Sequence, residues 1–301
     1  MKLALKIDVD THRGTREGVP RLIDVLRRHG AGASFLFSLG PDHTGRAVQR
    51  VFRRSHRGFM GKIARTSVLR HYGLRTLLYG TLLPGPDIGR DCAQTMRAAR
   101  EAGFDTGIHC WDHVRWQDGV ADADAAWTAR EFGFAATRYA EIFGTPARGH
   151  GAAGWQTNVH AARCEDETGM LWASDTRGRG PFLPLWQGER AGCLQLPTTL
   201  PTLDELIGLN GITENTVAAQ VLTLTRAAPE SCHVFTLHAE LEGGLFLPAF
   251  ETLLAGWRDQ GYELISLDAL ARTLDPASLP AHEVLRGSVP GRAGLLAVQG
   301  D

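Results

Sequence analysis

The strongest constraint on the fold is a regular alternation of short apolar runs with segments of helical periodicity. LALKIDV (3–9) is a strand candidate, and GVPRLIDVLRRHG (18–30) has helical spacing, with Pro20 near its first turn and Gly30 at its end. This order of elements indicates an α/β fold with a mainly parallel sheet, either a barrel or a doubly wound sheet.

The alternation continues along the chain without an internal repeat or a linker. Further strands are predicted at 33–40, 104–109, 233–238 and 262–267, with a Gly-rich strand end at 147–154 and short apolar pieces at 170–174 and 193–197. Further helices are predicted at 88–103, 123–143, 157–169, 214–227, 248–261 and 268–274. We therefore expect residues 1–301 to form a single domain with one insertion, at about 43–86.

That insertion is strongly basic, although the net charge of the chain is only -1. Between His43 and Pro86 the basic residues are Arg46, Arg50, Arg53, Arg54, Arg57, Lys62, Arg65, Arg70 and Arg75, and this segment has no Asp or Glu. The whole chain has 32 Lys and Arg residues, so 23 basic residues remain outside this segment. They stand against 33 Asp and Glu residues. One segment thus carries a local positive field on an acidic body.

The basic insertion also has the pattern of an amphipathic helix. Apolar residues Phe52 and Phe59 fall near helical spacing among Arg50, Arg53 and Arg54. Such a helix can lie in the interface of an anionic membrane, so these five residues are candidate membrane contacts. The alternative is a solvated basic insertion packed on the domain. No nucleic-acid motif or aromatic stacking platform accompanies the arginines, which argues against nucleic acid as the partner.

The cysteines and the apolar runs predict a cytoplasmic protein. Five widely scattered cysteines without CxxC spacing indicate reduced thiols rather than disulfides or zinc fingers. No apolar run approaches the roughly 20 residues that a membrane-spanning helix needs. The start MKLALKIDVD becomes acidic before a secretory apolar region develops.

Residues suited to metal chemistry follow several predicted strands. Asp8 and Asp10 end the first strand, His109 ends the third predicted one, and His238 ends the HVFTLH strand. Chemistry in parallel α/β folds gathers at these carboxyl ends. His113 is four residues beyond His109, a spacing that would place both imidazoles on one side of a helical turn.

Two histidines and one carboxylate leave open positions on a divalent ion, as a catalytic site requires. Asp8 and Asp10 would share one face of a strand, so one can bind the metal while the other takes a proton from the attacking water. His238 can protonate a leaving amine. The pattern predicts a metal-assisted hydrolase. Zinc, cobalt, manganese and iron all accept such ligands.

The order of the motifs resembles that of the polysaccharide deacetylase family, also called the NodB-homology family. IDVDT, HCWDH, GHGAAGW, ASDTRG and TLH follow one another in the family's order, over roughly residues 5 to 270. The resemblance implies a distorted (β/α) barrel of about seven parallel strands. It also implies that Asp8 is the general base and that His238 is the general acid.

The resemblance assigns further roles at the same site. Asp10, His109 and His113 match the metal ligands of the family, and Asp175 matches the carboxylate that orients and charges the catalytic histidine. The family's third motif usually carries an arginine that holds the catalytic aspartate, but His150 and Ala152 stand in this motif here. Arg148 or another basic residue replaces that arginine, or Asp8 is tuned differently.

Additional substrate contacts are predicted around these motifs. Arg13 and Arg16 are candidates for holding a phosphodiester, although solvated loop charges are the alternative. Trp155, like Trp111 and Trp172, can stack on a sugar or pack in the barrel. His150 is a further candidate contact. Glu240 contacts substrate or only begins the next turn.

Several stretches look like one particular branch of the family. KIDVDTHRGTREGVPRL, AAGW, LPTTLPTLDELIG and LHAELEGG are similar to the branch that removes the formyl group from 4-deoxy-4-formamido-L-arabinose linked to undecaprenyl phosphate. That similarity implies lipid A modification, resistance to cationic peptides such as polymyxin, and peripheral attachment to the cytoplasmic face of the inner membrane. The alternatives are a deacetylase of another N-acylated sugar or peptidoglycan fragment, and a non-catalytic barrel that binds sugar or lipid.

Overall fold

A sheet of eight strands organises the chain in the computed structural model, which describes residues 1–47, 75–229 and 231–301. Its strands are β1 (Lys2–Val9), β2 (Ser34–Ser38), β3 (Asp105–Cys110), β4 (Gly149–His150), β5 (Trp172–Ala173), β8 (Leu194–Gln195), β9 (His233–His238) and β10 (Glu263–Ile265). The predicted membrane contacts Arg50, Phe52, Arg53, Arg54 and Phe59 lie outside the described residues.

The strands of this sheet pair in parallel, as the alternation of strands and helices predicted. Seven of them follow one another in the order β9, β1, β2, β3, β4, β5, β8, and β10 pairs with the start of β1. Beyond β8, the amide of Thr199 donates to the carbonyl of Val234 in β9 at 3.1 Å. The curved sheet therefore agrees with the predicted distorted barrel of about seven strands.

Most of the helices cover the outer face of the sheet, but the last one packs against its inner face, where Leu267 and Leu270 contact the cluster of Ala4 and Leu36. The helices are α1 (Val19–Arg28), α2 (Ile88–Asp91), α3 (Ala93–Glu101), α4 (His113–Gly119), α5 (Ala125–Phe143), α6 (Val159–Glu167), α7 (Leu203–Leu206), α8 (Val217–Leu224), α9 (Leu247–Asp259) and α10 (Leu267–Ala271). The helix predicted at 88–103 is interrupted at Cys92, whose backbone leaves the helical region at φ -116° and ψ 12°.

Strand β1 shows how the sequence divides its side chains between two faces. Leu3, Leu5 and Ile7 belong to the large core between the sheet and the helices. Because side chains alternate along a strand, Lys6 and Asp8 face the interior of the barrel instead. Both of these charged side chains are buried. The interior near the carboxyl ends of the strands is therefore polar.

A second, smaller sheet was not expected from the sequence. It contains β6 (Leu183–Trp186), β7 (Glu189–Arg190), β11 (Ala281–Gly287) and β12 (Leu296–Gln299), in the order β12, β11, β6, β7. Strand β11 is only partly buried, so it lacks the apolar run that marks the barrel strands. It joins β6 across nearly a hundred residues of sequence, a pairing that no local pattern specifies.

The helices and the cysteines also bear on the predictions about membrane-spanning segments and disulfides. In the described part of the chain, no helix combines the length and the apolar character needed to cross a bilayer. All five cysteines are free and buried, as predicted.

Candidate active site

The barrel topology brings the predicted catalytic residues to one end of the sheet. Asp8 of β1 is the register partner of His238 at the end of β9. Asp10 follows the last residue of β1, and His109 lies near the end of β3. Four residues from distant parts of the sequence thus meet because parallel strands end at a common edge.

Asp10, His109 and His113 form a compact set of potential metal ligands. Asp10 Oδ1 lies 3.2 Å from His109 Nε2, and Asp10 Oδ2 lies 3.5 Å from His113 Nε2. One ligand atom from each residue lies within 4.8 Å of the other two. Asp10 Oδ1 is also a buried oxygen without a hydrogen-bond donor among the described residues. The donor set of two imidazoles and one carboxylate fits a divalent cation with open coordination positions.

The two histidines do not share a helical turn, which corrects the prediction from their spacing. His109 belongs to strand β3, whereas His113 is the first residue of α4. Asp112 ends the strand-to-helix turn and caps α4 by accepting a hydrogen bond from the amide of Arg115. The turn still brings the two imidazoles together, with ring centroids 5.3 Å apart.

The orientation of His109 is fixed by the third motif. Its Nδ1 lies 2.6 Å from the carbonyl oxygen of Gly151, which accepts the N–H. This contact directs Nε2 toward Asp10. A histidine ligand with its other nitrogen bound to a carbonyl is the usual arrangement of a preorganised metal site.

Electrostatics favour the protonation states of Asp10 and His113 that a cation requires. Burial alone would raise the pKa of Asp10, but His113, His109 and His238 lower it well below the usual range. Burial lowers the pKa of His113 and thereby favours the neutral imidazole. A carboxylate and neutral imidazoles are the forms that bind metal.

Asp8 lies beside the triad without completing it. Its Oδ2 lies 3.5 Å from the ammonium of Lys6, and its Oδ1 lies 3.7 Å from His109 Nδ1. No described donor makes a hydrogen bond to the buried Oδ1. Arg148 does not hold Asp8, since it is half exposed and pairs with Asp268 at 3.6 Å. Lys6, which the sequence reasoning missed, occupies that position.

His238 is buried and surrounded by carboxylates. Burial lowers its pKa, but Asp204, Asp10 and Glu242 outweigh burial, so the pKa of His238 is raised overall. Glu242 accepts a hydrogen bond from the His238 backbone amide at 2.7 Å. A raised pKa suits a group that donates a proton near neutral pH.

The prediction that Asp175 orients His238 is wrong. Asp175 Oδ1 instead lies 3.0 Å from His150 Nδ1 and accepts a hydrogen bond from the amide of Ala152. His150 Nδ1 also lies 2.9 Å from Glu165. The fold places the carboxyl end of β5 against β4 rather than against β9, which accounts for the change of partner.

His150, Glu165 and Asp175 form a second cluster, which is entirely buried. Burial lowers the pKa of His150, but Asp175 and Glu165 raise it to about 10. Burial and the charge of Asp175 raise the pKa of Glu165 well above its usual range, which favours the neutral form. Trp116 and Phe132 pack around the imidazole. This closed position does not fit the predicted substrate contact by His150.

Two other predicted substrate contacts also have structural roles. Trp155 is 2% exposed and packs against the cationic groups of Arg177 and Arg292, at 4.9 and 4.8 Å from its ring centre. Glu240 is buried and accepts hydrogen bonds from the amides of Asp10 and Thr11. Trp155 therefore follows the packing alternative, and Glu240 holds the loop that carries Asp10.

The remaining predicted substrate contacts lie at the rim of the barrel or away from it. Arg13 is partly exposed, pairs with Glu17 at 3.1 Å and lines a surface cavity, and Arg16 is exposed. Both stay predictions for binding a phosphodiester. Trp111 packs against Phe134, and Trp172 is buried at the opposite end of the barrel, which excludes Trp172 as a sugar platform.

Comparisons with known proteins identify the family to which the chain belongs. No family model matches the chain. A protein of Shewanella sediminis (strain HAW-EB3), described as "Probable 4-deoxy-4-formamido-L-arabinose-phosphoundecaprenol deformylase ArnD", is 34% identical over 298 residues, which are 99% of this chain and 94% of that protein. The chain belongs to the ArnD family.

A second ArnD relative and a solved structure extend the comparison. The ArnD protein of Wigglesworthia glossinidia brevipalpis is 28% identical over 288 residues, covering 95% of this chain and 98% of that protein. A crystal structure from Mycobacterium smegmatis, described as a "putative polysaccharide deacetylase", superposes with a TM-score of 0.64 at 15% identity, over 96% of this chain and 94% of that one. The ArnD assignment confirms the resemblance read from the motifs, and the structural match confirms the fold.

Proposed function

We propose that this chain hydrolyses the formamide of 4-deoxy-4-formamido-L-arabinose carried on undecaprenyl phosphate, releasing formate and the free 4-amino sugar. Membership of the ArnD family supports the substrate, and lipid A modification with resistance to cationic peptides follows from it. The observation that carries the proposal is the ligand set of Asp10, His109 and His113, with Asp8 and His238 beside it.

The metal requirement rests on the chemistry of the ligand set. Asp10, His109 and His113 would hold the ion, and zinc, cobalt, manganese and iron are all compatible with these donors. When bound, a divalent cation supplies Lewis-acid chemistry, which acidifies water and polarises a carbonyl oxygen.

Two protein side chains, Asp8 and His238, transfer the protons of the reaction. Asp8 accepts a proton from the attacking water on Oδ1, the buried oxygen that has no hydrogen-bond donor among the described residues. The water oxygen forms the new bond to the formyl carbon. His238 then donates its proton to the sugar nitrogen as the carbon–nitrogen bond breaks. One water is consumed, and formate and the amine are the products.

The basic insertion is the proposed membrane contact. At the described ends of this segment, Leu82 is 78% and Leu83 is 37% exposed. His43 lies at the start of the insertion, and its Nδ1 is 2.6 Å from Asp112 Oδ2. Asp112 caps the helix that carries His113. The insertion therefore leaves the barrel beside the metal ligands. A peripheral position on the cytoplasmic face would let the site reach a substrate whose lipid stays in the bilayer.

A direct assay tests the proposed function against its alternatives. The purified, metal-loaded protein is incubated with the formylated lipid-linked sugar and with its acetylated counterpart, and mass spectrometry measures formate and acetate. We expect release of formate from the first substrate. Preferred release of acetate would indicate a deacetylase, and metal binding without turnover of either substrate would indicate a binding protein.

A further inference from the structure

Lys6 is an unusual residue for the interior of a barrel. Its side chain is fully buried on strand β1, two residues before Asp8 and on the same face. A buried ammonium loses its hydration, and apolar side chains that replace a whole buried ion pair often give equal or greater stability. Packing alone therefore does not account for a lysine here.

The contacts of Lys6 are directed at the active site. Its Nζ donates to the carbonyl oxygen of Ser174 at 2.8 Å and lies 3.5 Å from Asp8 Oδ2. The ammonium also lies 5.4 Å from the ring centre of Trp155, within reach of a cation–π contact. These groups fix the ammonium on one side of Asp8, so Oδ2 is engaged while Oδ1 remains on the side of His109.

Gly151 provides the space for Lys6. A Cβ atom at position 151 would lie 3.0 Å from Lys6 Cε and 3.3 Å from Nζ, and it would overlap with Leu36 Cδ1. A larger residue would displace the lysine or the leucine. Gly151 thus serves two functions, because its carbonyl also holds His109.

We infer that Lys6 is the positioning residue for Asp8, in the place that the resemblance assigns to an arginine of the third motif. The inference rests on the proposed function, in which Asp8 takes the proton of the attacking water. By holding Oδ2, Lys6 directs Oδ1 toward the metal ligands. A misplacement of about 1 Å at such a group can reduce a rate about 100-fold.

A double-mutant cycle on turnover tests the inference. Lys6→Met, Asp8→Asn and the double variant are compared with the wild type for kcat and KM. We expect Lys6→Met to lower kcat about 100-fold with KM changed less than about twofold. In the Asp8→Asn background, the same substitution should cause no further loss, because residues that act as a unit are not additive.

Two further variants serve as controls. Lys6→Arg retains a cation and should recover most of the turnover that Lys6→Met loses. Lys2→Met removes a lysine from the opposite end of the same strand and should leave kcat unchanged. All variants should keep the metal content of the wild type, because each of them retains Asp10, His109 and His113.

Failure of the inference is distinct from failure of the proposed function. If wild-type protein releases formate but the losses from Lys6→Met and Asp8→Asn multiply, or if Lys6→Met loses its metal, Lys6 does not act through Asp8.

If wild-type protein releases no formate, the proposed function fails, and the same cycle is measured by denaturant unfolding. Lys6→Met should then lower the midpoint more in the wild-type background than in the Asp8→Asn background, since only the former leaves a buried carboxylate unpaired. Equal shifts would overturn the pairing.

Discussion

Asp175 accepts a hydrogen bond from the amide of Ala152 at 2.7 Å, one residue beyond the Gly151 carbonyl that holds His109. The second, buried cluster is therefore connected to the metal ligands through a single peptide group, whose carbonyl oxygen belongs to Gly151 and whose N–H belongs to Ala152. Asp175 does not contact the proposed acid His238. Its position links it instead to the geometry of the metal site.

Asp175→Asn should weaken metal binding by about 10- to 100-fold, the usual effect of losing a group that supports a ligand. Isothermal titration of the metal-free protein with zinc or cobalt measures the change. Asp166→Asn is a matched control, because Asp166 is an exposed acidic residue on the helix that carries Glu165. An unchanged affinity in a folded Asp175→Asn protein would contradict the proposed connection.

Removal of the metal should abolish hydrolysis, and added metal should restore it. Dialysis against a chelator, followed by titration with zinc, cobalt, manganese and iron, separates the requirement from the identity of the ion. His113→Ala should lower both the bound metal and kcat, because it removes one of three protein ligands. Full activity in chelator-treated protein with no detectable metal would exclude the metal-assisted reaction.

His238→Ala should reduce kcat by about 10²- to 10⁴-fold, the usual contribution of a general acid, and should leave the metal content unchanged. The raised pKa of His238 gives the sign of the pH dependence. The donor must be protonated, so the rate of the wild type should fall as the pH rises through a value above 6.5. An alkaline limb that persists unchanged in His238→Ala would assign that limb to another group.

The buried His150 cluster should make stability decrease at alkaline pH. The pKa of His150 is raised from 6.5 to about 10, so its stabilising charge is fully present below pH 6.5 and is lost as the pH rises through about 10. Denaturant unfolding between pH 6 and about pH 10.5 measures this loss. In His150→Gln the alkaline decrease should be smaller, and the protein should be less stable at neutral pH by about 3–5 kcal/mol because the buried Asp175 carboxylate loses its cationic partner.

The exposed leucines at the end of the basic insertion should contribute to membrane binding. Flotation with vesicles containing anionic phospholipid should recover the wild type at low salt, and less of it at high salt. Leu82→Ser combined with Leu83→Ser should reduce the bound fraction, whereas Leu285→Ser, on the exposed part of β11, is a control that should not. Absence of the wild type from the vesicle fraction at both salt concentrations would contradict the peripheral position.

The sequence by itself determined the fold class and most of the candidate metal site. Strands and helices have local signatures, and residues at the carboxyl ends of parallel strands converge wherever such a sheet forms. Asp8, Asp10, His109 and His238 could be grouped for this reason, without knowledge of the exact sheet order.

Only the tertiary structure decided which charged group contacts which. Asp175 pairs with His150 rather than with His238, because β5 lies beside β4 and away from β9. Lys6 had a usable signal, its two-residue spacing from Asp8, but its neighbours Ser174 and Trp155 are more than 140 positions away in sequence. Such long-range contacts depend on sheet order and on the space left by Gly151, and neither is encoded by a local pattern of residue types.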